Sequence, residues 1–309
     1  MILDSLLKTN TASGSTEKVC EIIENELKSA ADDIYTDNLG NLIVRFGDEN
    51  TPSAAVFAPC DKPALIVTHI EENGYVRVHP LTNVDFRSCI YSHVTSGEIC
   101  GVLYPDSKDA DKFSCAYADF GFKSVDEALL HINQGDVLFF ENAPICLQNG
   151  FITGAGASSL SCADICFTVA KNIAKEKNKC FYFVFISQDN LQHRGASVAA
   201  FKTKPDTAIC LEAYEGKNVC IKVADKSFVA DVNITETLIE CADVCNIKLQ
   251  KYVCPEEHGY ASRIQSAGTG IKTASLLLPV RHLNTLCETV NIADIDTISQ
   301  ITIQFLNNI

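Results

Sequence analysis

Six short runs in this chain carry residue types that could do covalent or metal chemistry. Cys60 directly precedes Asp61, and Ser158 is followed by Ser159, so a thiol and a hydroxyl are available as nucleophiles. A nucleophile also needs a positioned base and oxyanion donors. No Gly-x-Ser-x-Gly elbow surrounds either serine, so no triad is visible. Cys162-x3-Cys166 and Cys241-x3-Cys245 have zinc-like spacing, but both pairs fall in amphipathic helical stretches without a companion Cys or His pair. They read as core packing. His193 follows Asp189-Asn190 and precedes Arg194-Gly195; it could approach a pocket there, but the expectation is a turn with a solvated or structural histidine. Glu256-Glu257-His258 is a dense polar cluster, expected as an exposed loop.

The elements that must position these residues follow from periodicity. Val19, Ile22, Ile23 and Leu27 recur at helical spacing after Ser13-Gly14-Ser15. Asp37-Asn38-Leu39-Gly40-Asn41 is a turn leading into strand Leu42–Phe46, and Ala54–Ala58 is a buried strand. From Leu65 to about Leu147 the texture becomes alternating, as in Tyr75–His79 and Glu98–Leu103, with one helix near Val125–His131. After Asn149-Gly150 helices and strands alternate again. A helix is expected over Ser159–Ala174, followed by strands Cys180–Ile186, Thr207–Leu211 and Val219–Val223. Then come helix Glu236–Cys245, strands Leu249–Val253 and Thr273–Leu278, and a closing helix near Ile295–Leu306. This pattern predicts a three-layer α/β core with a parallel or mixed sheet, residues 1–64 and 150–309, interrupted by a β-rich insert, residues 65–149.

Composition narrows the function classes. The chain has 309 residues, 47% of them hydrophobic, and a formal net charge of −14. An acidic surface of this size argues against nucleic-acid and anionic-membrane partners, and no apolar run is long enough to span a bilayer. Fifteen scattered cysteines with no secretory signal at Met1-Ile2-Leu3-Asp4-Ser5 read as reduced thiols of a cytoplasmic protein.

The order of segments resembles the tetrahedral-type (TET) metal-dependent aminopeptidases, also described as glutamyl aminopeptidases or endoglucanase-like proteins. The resemblance runs nearly end to end: Thr9–Ser15, Asp37–Leu42, Asn73–Leu81, Asp119-Phe120-Gly121, Gln134-Gly135-Asp136, Asn149-Gly150 and Arg194-Gly195-Ala196 appear in the family's order. It implies a zinc-exopeptidase-like core with a mixed sheet and a barrel-like inserted domain through which dimers form and build dodecameric shells. It also implies two divalent metals, zinc or cobalt, sharing a bridging carboxylate, with a glutamate as base on the metal-bound water.

Mapped residue by residue, the resemblance implies a depleted site. Pro59 stands where the first histidine ligand belongs, and proline has no side-chain donor. Asp61 matches the aspartate that orients that histidine. Ser158, in Gly154–Leu160, falls at the bridging aspartate. Asp189 stands at the base position and Asn190 at the neighbouring carboxylate ligand. Glu212 keeps the next carboxylate, and Asn284, after Pro279-Val280-Arg281, takes the place of the last histidine. His282 is two residues away and is expected to point elsewhere. Tyr260, in Gly259-Tyr260-Ala261, is expected to fill space beside the site. The favoured expectation is therefore an aminopeptidase-like pseudoenzyme, with no cofactor, that binds or scaffolds as a homo-oligomer with a peptide or small-molecule partner. The alternative is an active metallo-aminopeptidase with a reduced, weak metal site of Asp61, Asp189 and Glu212.

Overall fold

The computed structural model describes residues 2–141, 143–173, 179–256 and 258–309. Among the described residues seventeen strands form two sheets. They are β1 (Asp33–Thr36), β2 (Leu42–Phe46), β3 (Ser53–Pro59), β4 (Ala64–Ile70), β5 (Val76–Pro80), β6 (His93–Ser96), β7 (Ile99–Pro105), β8 (Ala116–Asp119) and β9 (Val137–Phe140). The remainder are β10 (Ile145–Cys146), β11 (Phe151–Gly154), β12 (Cys180–Ile186), β13 (Thr207–Glu215), β14 (Cys220–Asp225), β15 (Gln250–Cys254), β16 (Lys272–Arg281) and β17 (Glu288–Asn291). The large sheet is mixed, in the order β1-β2-β12-β3-β13-β16-β17-β11-β10, with β14 and β15 branching from β16. Strands β4, β5, β8, β7, β6 and β9 close into an antiparallel barrel.

The central strands are those with unbroken apolar runs. Cys180–Ile186 is buried at every residue, because it is paired on both sides and covered on both faces. It runs parallel to β3, which in turn runs parallel to β13, and β13 parallel to β16. Helix Ala157–Asn172 and helix Ile292–Asn308 cover one face. Helices Arg194–Thr203 and Ala261–Gln265 cover the other. In the barrel, β8 and β9 alternate buried and partly exposed residues, the period-two pattern of a strand with one face on a core.

Several expected boundaries move. The long helix begins at Ala157 and ends at Asn172; Ala174 lies outside the described residues. Helix Val232–Val244 starts four residues before the expected Glu236, where the Asp231 carboxylate accepts the Ile234 N–H at 3.1 Å and caps it. The helix near Val125 covers only Val125–Ala128, and residues 129–131 form turns. The expected Arg194-Gly195 turn is instead the first turn of helix Arg194–Thr203. Gly195 is required there by close approach: a Cβ would lie 1.9 Å from the Ser187 carbonyl oxygen. The barrel begins at Ala64 and ends at Phe140, while Ile145–Cys146 pairs with the large sheet.

Candidate functional site

Parallel strands end together, and the crevice beyond their carboxyl ends is where such sheets place ligands. Here β3 ends at Pro59, β12 leads into Ser187–Asn190, β13 carries Glu212, and β16 leads into Leu283-Asn284. A cavity of about 590 Å³ opens at this point. It is lined by Pro59, Ser158, Asp189, Asn190, Glu212 and Asn284, so six of the seven positions singled out above meet in one place. The seventh, Asp61, is fully buried beside it. Its carboxylate accepts hydrogen bonds from the Ser13 hydroxyl and, at 3.3 Å, from the Asn190 N–H, while Oδ1 has no partner. Burial, and then the charge of Asp189, push the Asp61 carboxyl up to about 6.

Asp189 is bonded to His193, Oδ1 to Nδ1 at 2.8 Å, and the His193 N–H also closes the turn onto the Asp189 carbonyl. Burial pulls the imidazole pKa down, but the hydrogen bond and charge of Asp189 outweigh it, and the net shift is upward. His193 is thus a partly exposed, hydrogen-bonded histidine that does reach the pocket: it lines the cavity in a left-handed conformation at the head of helix Arg194–Thr203. The legible signal was the four-residue spacing from Asp189. The loop is held from below by Asn41, whose side chain accepts the Ser187 N–H at 2.8 Å and donates to the Gly195 carbonyl at 3.1 Å.

Ser158 sits at the N-terminus of helix Ala157–Asn172, and its backbone N–H and hydroxyl both donate to Glu288 Oε2, at 2.9 and 2.6 Å. The other Glu288 oxygen accepts the Asn284 N–H at 3.0 Å. Glu288 thus faces a helix N-terminus and ties Ser158 to Asn284. Burial raises its pKa despite these donors. Neither Glu288 nor its pairing was legible, since 130 residues separate it from Ser158. Asn284 lines the cavity, whereas His282 is exposed, and its N–H bonds Glu215 at 3.2 Å.

Glu212 is engaged on one side only. Its Oε2 accepts from Ser275 Oγ and lies 2.5 Å from Lys222 Nζ. Its Oε1 is buried without a hydrogen-bond partner. Lys222 also bonds Asp225 at 2.8 Å. Gly259 lies against this pair, and a Cβ there would come within 1.9 Å of Glu212 Oε1. Tyr260 is 2% exposed, lines the cavity, and places its hydroxyl 2.7 Å from the carbonyls of both Phe57 and Leu211. It thereby ties β3 to β13 and fills space beside Glu212. Glu256 and His258 are exposed at the rim, and Glu257 lies outside the described residues.

The two thiols nearest the site, Cys162 and Cys60, are not activated. Nine of the fifteen cysteines are buried and none is in a disulfide, which fits apolar filling. Cys162 touches the cavity, but burial and then Glu212, Asp189 and Glu288 all raise its pKa. The Cys60 thiol is raised by its contact with Cys20 and by burial. Cys241 is buried on its helix and Cys245 caps it, and among the described residues they belong to no group of three or more His, Cys, Asp or Glu that could hold a metal ion.

The donor set was tested against a two-metal centre. Pro59 offers no donor, the Ser158 hydroxyl is given to Glu288, and Asn190 and Asn284 are neutral amides. Glu212 already faces an ammonium. Among the described residues no group of three or more His, Cys, Asp or Glu side chains is arranged to hold a metal ion. The oxygens Asp61 Oδ1 and Glu212 Oε1 are buried at the site without a hydrogen-bond partner. A bridged pair of dications does not fit this set.

Comparison with known proteins bears on the fold and lineage. A protein of aminopeptidase type from Acetivibrio thermocellus is 30% identical over 312 residues, covering 94% of this chain and 93% of its own length. An aminopeptidase from the archaeon Desulfurococcus kamchatkensis superposes with a TM-score of 0.92 at 21% identity, covering 100% of this chain and 94% of that one. A Pyrococcus horikoshii TET1 peptidase that can assemble into a tetrahedron or a large octahedral shell superposes at 0.88 with 21% identity, covering 98% and 97%. No helix of the described residues is long and apolar enough to cross a membrane. The sequence profile of the M42 glutamyl aminopeptidases matches residues 40–301, and with the end-to-end relatives this makes the chain a member of that family.

Proposed function

We propose that this chain is an aminopeptidase-fold protein that has lost two-metal peptide hydrolysis and serves as a cytoplasmic binding, scaffold or regulatory homologue. The observation that carries this reading is the state of the five ligand positions: four have lost their donors or their charge, and the fifth, Glu212, is bonded to Lys222 at 2.5 Å. Two dications at the usual separation of about 3.5–4 Å repel strongly without a bridging anion. Ser158 keeps a neutral hydroxyl turned to Glu288 and supplies no such anion. Without an activated water Asp189 has nothing to deprotonate, and its partner is His193 instead. The retained cavity of about 590 Å³ suits a peptide or small molecule.

A second reading, an active aminopeptidase with one weak cation near Asp61, Asp189 and Glu212, draws support from the two orphaned carboxylate oxygens. The two separate by metal content from mass spectrometry together with turnover of aminoacyl-anilides in zinc, cobalt and manganese. The expected result is no stoichiometric metal and no turnover. Two metals per chain, or turnover abolished by Glu212→Ala, would overturn the first reading.

The assembly follows the shelled relatives. The insert, expected over residues 65–149 and folded as the barrel Ala64–Phe140, is the dimerisation domain carried by the surrounding discontinuous core, and the chain forms at least a dimer. Light scattering that found only monomer at micromolar concentration would refute this.

A further inference from the structure

We infer that the ammonium of Lys222 is a resident cation behind Glu212, filling a small oxygen-lined seat beside the cavity that a divalent ion would otherwise find open. The inference deepens the reading of a metal-independent pocket and rests on it. Strand geometry shows that the seat is built. Residues three apart on a regular strand point to opposite faces, yet Lys222 and Asp225 meet at 2.8 Å. The register of β14 against β15 shifts between Lys222 and Ala224, and this bulge restores both side chains to one point. Across β16, Lys222 is paired with Ser275, so ammonium and hydroxyl converge on the same Glu212 oxygen. The Lys222, Glu212 and Asp225 side chains are 6%, 7% and 0% exposed. Asp225 is held further by the N–H groups of Ser227 at 2.8 Å and Gly259 at 3.2 Å. Two carboxylates and a hydroxyl around one cation form a hard-oxygen set of the kind that binds magnesium, manganese or calcium. The protein fills it with its own side chain. The cation is covalently tethered, so it cannot be chelated and leaves no coordination position for a water.

The test compares the full-length protein with Lys222→Met, which keeps the bulk of the stem, and Lys222→Ala, which leaves room. Manganese binding is read by calorimetry and electron paramagnetic resonance. Thermal unfolding is read in propylammonium chloride against the same concentration of tetramethylammonium chloride. Both variants are expected to bind manganese at least tenfold more tightly than the parent. Lys222→Ala alone is expected to be stabilised selectively by propylammonium, which can re-enter the seat. Manganese affinity unchanged in Lys222→Met, which does not depend on the survival of the alanine variant, would overturn the inference while leaving the metal-free parent intact. Stoichiometric metal in the parent would instead overturn the reading beneath it.

Discussion

Replacing Asp61 by Asn should change how stability depends on pH, and the size of the change follows from the burial of the group. Asp61 is fully buried with one oxygen unpartnered, and this burial, with the charge of Asp189 second, raises its pKa to about 6. In the unfolded chain an aspartate titrates near 3.9, as it does in model peptides. The native state therefore holds the proton more tightly. The associated stability is fully present below about pH 4, declines as pH rises, and is gone above about pH 6. Two pH units at about 1.4 kcal/mol each give roughly 3 kcal/mol lost between pH 4 and pH 7. Asn keeps the shape and can accept from Ser13 and Asn190, but it does not titrate. Its amide, placed where Oδ1 has no partner, adds a cost that is constant with pH. The difference in unfolding free energy, parent minus Asp61→Asn, should therefore fall by roughly 3 kcal/mol from pH 4 to pH 7, whatever its absolute offset. Urea unfolding at fixed protein concentration measures it, with the concentration held because self-association contributes to apparent stability. Asp189→Asn in the same background should reduce the fall, because the like charge is removed. Parallel pH profiles for parent and Asp61→Asn would refute the reasoning.

Tyr260→Phe removes the hydroxyl that sits 2.7 Å from two strand carbonyls, and should cost about 1–2 kcal/mol, or about 2–3 °C in Tm for a chain of this size, without loss of fold. Gly259→Ala drives a methyl to within 1.9 Å of Glu212 Oε1, so the loop or the Glu212–Lys222 pair must shift; thermal melts should fall by the equivalent of about 1–3 kcal/mol. Glu288→Gln leaves the donors of Ser158 in place but removes the charge facing a helix N-terminus, and about 1–2 kcal/mol of stability should be lost in denaturant titrations at pH 7. Restoring Pro59→His, Ser158→Asp, Asn190→Glu and Asn284→His together should raise zinc affinity in calorimetry. Aminoacyl-anilide turnover should stay absent, since Asp189 and Tyr260 still flank the site and Lys222 still holds Glu212.

Local periodicity specified most elements of this protein. The seven-residue apolar run Cys180–Ile186 reads by its length as a strand covered on both faces, and Val19, Ile23 and Leu27 repeat at the spacing of one helix face. Residue type alone also settled what Pro59 cannot do, because no fold gives proline a donor. The linear order of motifs carried the family, and hence the sheet and barrel, because homologous chains with collinear motifs share a backbone. The short helix at Arg194 escaped because it buries only a narrow alanine and glycine face, which leaves no strong apolar period. What surrounds each site residue was decided by tertiary structure. Glu288 reaches Ser158 because β17 lies beside β11, whose end feeds the helix that Ser158 opens. Lys222 reaches Glu212 because β14 pairs with β16 on one side and carries a bulge on the other. Such contacts depend on strand order, register and a single-residue shift in parity. A one-residue slip in register would turn Lys222 to the opposite face of the sheet, yet it would leave every local sequence pattern unchanged.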